Sequence, residues 1–465
     1  MTRLTEAVST AAASPRTPGR ARSAFAATVV GPLVFAMVLA VLIVHAPLMT
    51  LAGAGALVVV GTLLLRVDSA ALAFVAVEPF EDYAKSLSGA AVKVLGALLV
   101  VAWLLRLLSG TRPARLRHAA VHAGVVLLIV LLASTAAHPN GSLGSQVDIR
   151  YLSYLGAFIV LVDCMRGGLS PLIVARVYVL ASTVAAVCGI VAYLASGRLR
   201  VGGPVSDPND FAFYLIAALP LALALRQWAR WRWPYDVAVV VLLLATAGTV
   251  SRGALVAVAT MAAFAAVTRQ VRPRAALAAI AIAAVGFVLV ITLLPARVDG
   301  SYFAKNQVAA QNVDARLQRW TVAAEMTADN PVLGLGPAGF RINYNRYVDN
   351  QPLDPLHFLG VSHDTYLEVS SELGLLGLGA FLCLLISGYL GARRCWLGGG
   401  PDAALGRAVC TATLGVAAAA IFLTEQYFLP LWLLAALGAA LDPRPDVPRH
   451  TESDAADDAK SSEDR

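Results

Sequence analysis

The sequence predicts an all-α fold, a polytopic transmembrane bundle of about 12–14 helices with one long external loop that contains short helices. Three observations carry that expectation. The 465-residue chain is 58% hydrophobic and only 14% charged, with a mean hydropathy of +0.71. A soluble domain is nearer half apolar and a quarter charged. The excess is gathered into apolar runs separated by short polar stretches, and a run of about 20 residues at 1.5 Å rise crosses a hydrocarbon core of about 30 Å. The alternating ten-residue pattern of a membrane β-barrel is absent. Finally, arginine clusters recur in every second loop.

Taken in order, the candidate spans are 24–46, 48–65, 69–79, 88–105, 118–137, 150–165, 171–195, 211–225, 235–250, 253–268, 275–295, 370–391, 404–423 and 427–441. The clusters Arg112/Arg115/Arg117, Arg226/Arg230/Arg232, Arg269/Arg272/Arg274 and Arg393/Arg394 fall in alternate loops. Together with Arg3, Arg16, Arg20 and Arg22 they mark the cytoplasmic side, so both termini are expected inside a cell (inner or plasma) membrane. The first apolar run is too long for a signal-peptide core, so residues 1–23 read as an uncleaved cytoplasmic tail. The organisation that follows is a tail over 1–23, transmembrane helices over 24–295, an external catalytic loop over 296–368, further transmembrane helices over 369–441 and a disordered acidic cytoplasmic tail over 442–465.

The formal net charge is +7; the last segment carries eight acids against four bases, which leaves +11 on the rest. In a membrane protein that balance reflects cytoplasmic loops. Nucleic acid is not expected as a partner: the one basic stretch with interleaved aromatics, Arg226–Trp233, fits an anchor at the membrane interface. The five cysteines lie in or beside apolar segments with no CxxC pair, and read as small buried hydrophobes. Neither a disulfide framework nor a zinc site is expected.

The chemistry gathers on the loops assigned outside. Arg198-Leu-Arg200 leads into Ser206-Asp207-Pro208-Asn209-Asp210, where Asp207 or Asn209 is expected to cap the following helix. Thr249-Val-Ser251-Arg252-Gly253 joins two apolar runs with almost no loop, which puts Arg252 at the interface, facing a cavity or snorkelling to headgroups. The long loop holds Arg297, Arg316, Arg319, Arg341 and Arg346, against the positive-inside bias, which bound anion or ordinary salt bridges would offset. Within it, Asp314–Met326 reads as an amphipathic helix with Arg316, Arg319 and Trp320 on one face. Asn330-Pro331 ends that helix, and Gly334-Leu-Gly336-Pro-Ala-Gly339 makes a turn whose N–H groups are expected to approach a phosphate. No Walker lysine follows, so nucleotide binding is not implied.

The loop closes on Ser362-His363-Asp364-Thr-Tyr366-Leu-Glu368 and Glu372-Leu-Gly374-Leu-Leu-Gly377. With Pro331-Val-Leu-Gly334-Leu-Gly336, the Arg316 and Trp320 pair, Ser251-Arg252-Gly253 and Asp207-Pro208-Asn209, this ordered set resembles the O-antigen ligase/polymerase superfamily over residues 200–377. The resemblance implies a GT-C-like membrane glycosyltransferase. It would move a glycan from a polyprenyl-pyrophosphate donor, held in membrane lipid, to a sugar or other hydroxyl acceptor, with no nucleotide sugar, metal or other cofactor. The family's functional arginines and histidine fall on Arg252, Arg316 and His363; Arg200, Arg319, Asp364 and Tyr366 are further substrate-binding candidates. Asp364 stands where many members carry asparagine, and its charge is expected to raise the pKa of His363. His357 is a second candidate base, and Glu78, Glu81 and Asp82 are candidates to orient the acceptor. The competing reading is a polytopic transporter or flippase for a lipid-linked or anionic substrate. It shares the helix count but lacks an internal repeat or paired broken helices.

Overall fold

A computed structural model describes residues 60–87, 91–110, 114–196, 200–270, 316–348 and 360–443. The chain divides into units 1–62 and 63–465, and the account that follows concerns the second. The expected spans 24–46 and 275–295, most of 48–65, and His357 and Arg297 lie outside the described residues.

The described residues are helix and connecting loop, with no strand among them. In chain order the helices are α1 (Val67–Val77), α2 (Glu81–Leu87), α3 (Ala91–Leu108), α4 (Ala119–Ala137), α5 (Gly141–Arg166) and α6 (Pro171–Ser196). They continue with α7 (Pro208–Leu225), α8 (Trp233–Gly248), α9 (Arg252–Val267), α10 (316–329) and α11 (Gly339–Tyr347). The last three are α12 (Thr365–Gly398), α13 (Ala403–Ala419) and α14 (Leu429–Leu441). Five are long and apolar enough to cross a membrane, and α8, α9, α14 and part of α3 are shorter apolar helices. Each apolar run among the described residues is thus a helix, because a backbone in hydrocarbon must satisfy its own hydrogen bonds. The chain is an all-α polytopic membrane protein.

The helices start and stop where local chemistry dictates. Asp207 accepts the Asn209 N–H and caps α7, whose first residue is Pro208, a residue that lacks the N–H the first turn would leave unpaired. Ser251 caps α9 through Oγ, and Gly399, at φ 70°, ends α12 in the left-handed conformation. Trp231 and Trp233 are exposed at the start of α8, with Arg230 over the Trp231 ring, 5.7 Å from its centroid, which suits an interface anchor.

At the centre, α12 packs on α4, α13 and α14, and α7 packs on α6, α8 and α13. The α12–α14 crossing is closed by small residues: a Cβ added at Gly438 would lie 2.1 Å from the Gly388 carbonyl oxygen. Helix association in lipid relies on such close backbone approach.

The end of the bundle where α12 finishes is held by two buried carboxylates. Asp163 accepts from Trp103 Nε1 and from the Arg115 N–H, both at 2.7 Å, and from the Arg106 guanidinium. Asp442 accepts from Arg394 Nη2 at 2.5 Å and meets His118 Nε2 at 3.1 Å. His118 Nδ1 accepts the Ala120 N–H, so Nε2 carries the proton and donates to Asp442. Breaking a buried pair leaves its partner charge uncompensated. Asp163→Ala is expected to cost about 3–5 kcal/mol, read as a fall in thermal stability in detergent, while Asp402→Ala, at an exposed turn, shifts it little.

Candidate active site

The opposite end of α12 is where the chemistry gathers, and each part of it rests on a local device. The corner between α8 and α9 is Thr249-Val250-Ser251, and Val250 has φ 51°, which costs a β-branched residue about 1–2 kcal/mol. Arg200 holds the corner: Nε donates to the Thr249 carbonyl at 2.6 Å and Nη2 to Asn209 Oδ1 at 2.7 Å. That corner presents Arg252 as the first, exposed residue of α9. A helix N-terminus is already electropositive, so a cation there adds like to like. None of the ion pairs among the described residues involves Arg252, Arg316 or Arg319.

Arg316 and Arg319 come from α10, with Trp320 resting against Phe422 at 6.4 Å between ring centroids. The other face of α10 buries Val322, Ala323 and Met326 against Phe340 and Tyr344 of α11, a small separate core. Arg319 hydrogen-bonds Tyr344. Burial, then the nearby charges of Arg252 and Arg319, hold the Arg316 pKa below its ordinary value.

The glycine-rich turn does other work than expected. The Leu335 and Gly336 N–H groups donate to the Ser371 and Glu372 carbonyls, both at 2.9 Å, and the Leu375 N–H donates back to Pro331 O at 2.7 Å. Those carbonyls are free because α12 breaks at Gly374 (φ 69°, ψ −175°), a conformation essentially confined to glycine. Ser134 Oγ and Asn140 Nδ2 fasten the same turn from the side. Two motifs forty residues apart are therefore one joint, and their amides are taken by protein carbonyls instead of a phosphate. A Cβ at Gly374 would fall 2.3 Å from Val332 O. Gly374→Ala is expected to cost about 3 kcal/mol or more, read as lost thermal stability and yield; Gly379→Ala, where a Cβ meets nothing within 4 Å, leaves both unchanged.

His363 sits in the turn before α12 with φ 55°. Its N–H donates to Thr424 Oγ1 at 3.1 Å, while Thr365 Oγ1 donates to Leu423 O at 2.7 Å and accepts the Glu425 N–H at 2.8 Å. Asp364 Oδ1 accepts the Tyr366 and Leu367 N–H groups, at 2.8 and 2.9 Å, and caps α12. Tyr366 OH donates to Ala417 O at 2.9 Å and ties α12 to α13. Burial, then Arg316 and Arg319, push the His363 pKa down to about 4, opposed by Asp207. The sequence expectation of a raised pKa is thereby reversed: the Asp364 carboxylate is turned to the helix N-terminus, and guanidinium groups dominate the field at the imidazole.

Arg252, Arg316, Arg319 and His363 are thus brought together, with Asp207 as the opposing carboxylate. Arg200 holds the corner before Arg252, Asp364 caps α12, and Tyr366 ties α12 to α13. Glu78 is not at the rim: it is 1% exposed, and its Oε2 accepts from Tyr154 OH at 2.8 Å and Tyr214 OH at 3.3 Å. Asp82 accepts the Ser206 N–H at 2.5 Å and ties α2 to the loop before α7. Sequence reasoning missed Thr424 and Glu425, whose carboxyl is fully buried beside that of Asp210; burial, then Asp210, raises its pKa well above the usual range. The available signal was the polar stretch Thr424-Glu425-Gln426 between two apolar runs.

The fold and the site define a polytopic membrane protein with three arginines, free of ion pairs among the described residues, gathered at the end of the bundle that carries His363. Residues 237–382 match the family model described as O-antigen ligase, which supports an assignment to the O-antigen ligase/polymerase family. Arg252, Arg316, Arg319, His363 and the Gly334–Gly374 joint all lie within the matched stretch, whereas Arg200 and Thr424 lie outside it. A search of curated proteins finds no match to the chain.

Proposed function

We propose that the protein transfers a glycan from a polyprenyl-pyrophosphate donor to an acceptor hydroxyl at the outer face of a cell (inner or plasma) membrane, in cell-surface polysaccharide assembly. The observation that carries this reading is the cluster of Arg252, Arg316 and Arg319, with no ion pair among the described residues, in which Arg316 lies near both other arginines and Arg316 and Arg319 lie near His363. Three like charges held together repel one another, and a pyrophosphate with two to three negative charges relieves that repulsion. Arg106, Arg115, Arg166 and Arg394 gather at the far end of α12, which supports the assignment of the site to the outside and of both termini to the cytoplasm.

The donor's anomeric C–O bond breaks as the acceptor oxygen attacks from the opposite face, a single displacement with inversion. The electron pair stays on the lipid pyrophosphate, where Arg252 and Arg316 stabilise the charge by charge-assisted hydrogen bonds. His363 accepts the acceptor's hydroxyl proton. It is neutral at neutral pH, so Nδ1 or Nε2 has a free lone pair for that role. Arg319, Arg200, Asp364 and Tyr366 border this chemistry. Following the family resemblance, no metal and no nucleotide enter the scheme.

The test is transfer by the purified protein in nanodiscs from a polyprenyl-pyrophosphate glycan, with chelator present and nucleotide absent. Product with the inverted anomer is expected, and the identity of the acceptor in that product separates ligase from polymerase. Uptake of donor into sealed vesicles without any transfer would replace this reading with the transporter.

A further inference from the structure

We infer that Glu368, acting with Thr424, is a positioning residue that fixes the backbone of His363 and so aims its imidazole. The inference rests on the catalytic reading of His363 and goes beyond it to the group that places the base. His363 lies in the left-handed region, φ 55°, which costs a non-glycine residue about 1–2 kcal/mol and persists only where the surroundings over-determine it. Glu368 supplies that constraint. Its Oε2 accepts the N–H of Ser362, the residue before His363, at 2.6 Å, and the hydroxyl of Thr424 at 3.3 Å. The same Thr424 oxygen accepts the His363 N–H at 3.1 Å. The two consecutive N–H groups of residues 362 and 363 are thus gathered on one carboxylate, directly and through one hydroxyl.

The arrangement is buried throughout: Ser362 is 0% exposed, Glu368 4% and Thr424 9%. Water therefore cannot replace a lost partner, and an orphaned amide would drive the turn to another conformation. Ser362 Oγ donates to the Asp364 carbonyl at 2.8 Å, which closes the turn on the other side. The groups that set the charge around His363 are Arg316 and Arg319 from α10 and Asp207 from the loop before α7. Arg341 of α11 acts on Glu368 itself. A shift of the turn by an ångström moves His363 relative to all of them and to the acceptor.

The experiment compares Glu368→Ala, Glu368→Gln, Thr424→Val and Thr424→Ser with wild type. It measures kcat and KM for the lipid-linked donor, and the ring titration of His363 by NMR, assigned through His363→Ala. Glu368→Ala and Thr424→Val are expected to lower kcat by about 10²-fold with the donor KM nearly unchanged. The His363 titration should move up from about 4 toward its ordinary 6.5 as the ring leaves its buried place beside the arginines. Glu368→Gln keeps an acceptor oxygen and Thr424→Ser keeps the hydroxyl, so both should restore most of the turnover. Should Glu368→Ala fail to fold, Thr424→Val carries the test. A folded Thr424→Val with wild-type kcat and an unmoved titration, or equal losses in the serine and valine variants, overturns the proposal. Turnover that survives His363→Ala would instead sink the catalytic reading, while the titration, which needs no activity, still judges the positioning.

Discussion

His363→Ala is expected to reduce transfer by about 10²–10⁴-fold, the contribution of a placed general base, with folding unaffected because the imidazole is not a structural tie among the described bonds. The pH profile should show the origin of that loss. In the free protein His363 titrates near 4, so its neutral form prevails at every higher pH and the acid limb of kcat/KM lies near that value. Donor binding brings negative charge to Arg316 and Arg319, the cations that hold the pKa down, so the limb of kcat, which reports the bound state, should stand at higher pH. The charge effect has a fixed sign, since an anion favours the imidazolium, and it opposes any further burial of the ring by the donor. Arg316→Ala removes one cation and should move the kcat/KM limb upward as well. Coincident limbs in kcat and kcat/KM, unchanged in the arginine variant, would show that His363 is not the group that titrates.

A base of low intrinsic pKa that strengthens when the donor arrives has a chemical use. Under the proposed mechanism, His363 is neutral above a pH of about 4 and so available as the base. A bound pyrophosphate would then raise its proton affinity as the acceptor hydroxyl approaches. Base strength and leaving-group occupancy are then coupled through the same two guanidinium groups.

The elements of this site differ in how plainly the sequence shows them. Hydrocarbon imposes helix on each apolar run, so α3 to α9 and α12 to α14 follow from hydropathy with end errors of a few residues, except that α5 starts at Gly141 against the expected 150 and α12 spans Thr365–Gly398 against the expected 370–391. Arg252, Arg316 and His363 are legible as polar exceptions in the loops between them. What is not legible is pairing across the chain. Gly336 and Glu372 meet because Gly374 breaks α12, and a break that frees carbonyls for a distant turn leaves no periodic signature. Glu368 reads as one more polar residue on a helix until Thr424, fifty-six residues later, is placed beside it. The direction of the His363 shift was likewise misjudged from its neighbour: adjacency to Asp364 counts for less than where that carboxylate points.

Arg252→Ala and Arg316→Ala are each expected to lower kcat/KM by about 10²–10³-fold, and the double variant by less than the product, because both act on one leaving group. Lysine at either position keeps the charge but loses the two-pronged fork, so Arg316→Lys should recover only part of the activity. The stability response should run the other way. Arg316 is held below its ordinary pKa first by burial and then by repulsion from Arg252 and Arg319, so its charge costs stability where it stands. Removing Arg316 therefore leaves thermal stability unchanged or raises it while activity collapses, the pattern of a group kept for function against stability. Inorganic pyrophosphate should stabilise the wild type in a thermal-shift assay and inhibit transfer competitively with donor, both effects weakening at high salt. The double variant should respond to neither. A thermal loss in Arg316→Ala that matches its loss of activity would mean instead that the guanidinium is a structural strut and the anion binds elsewhere.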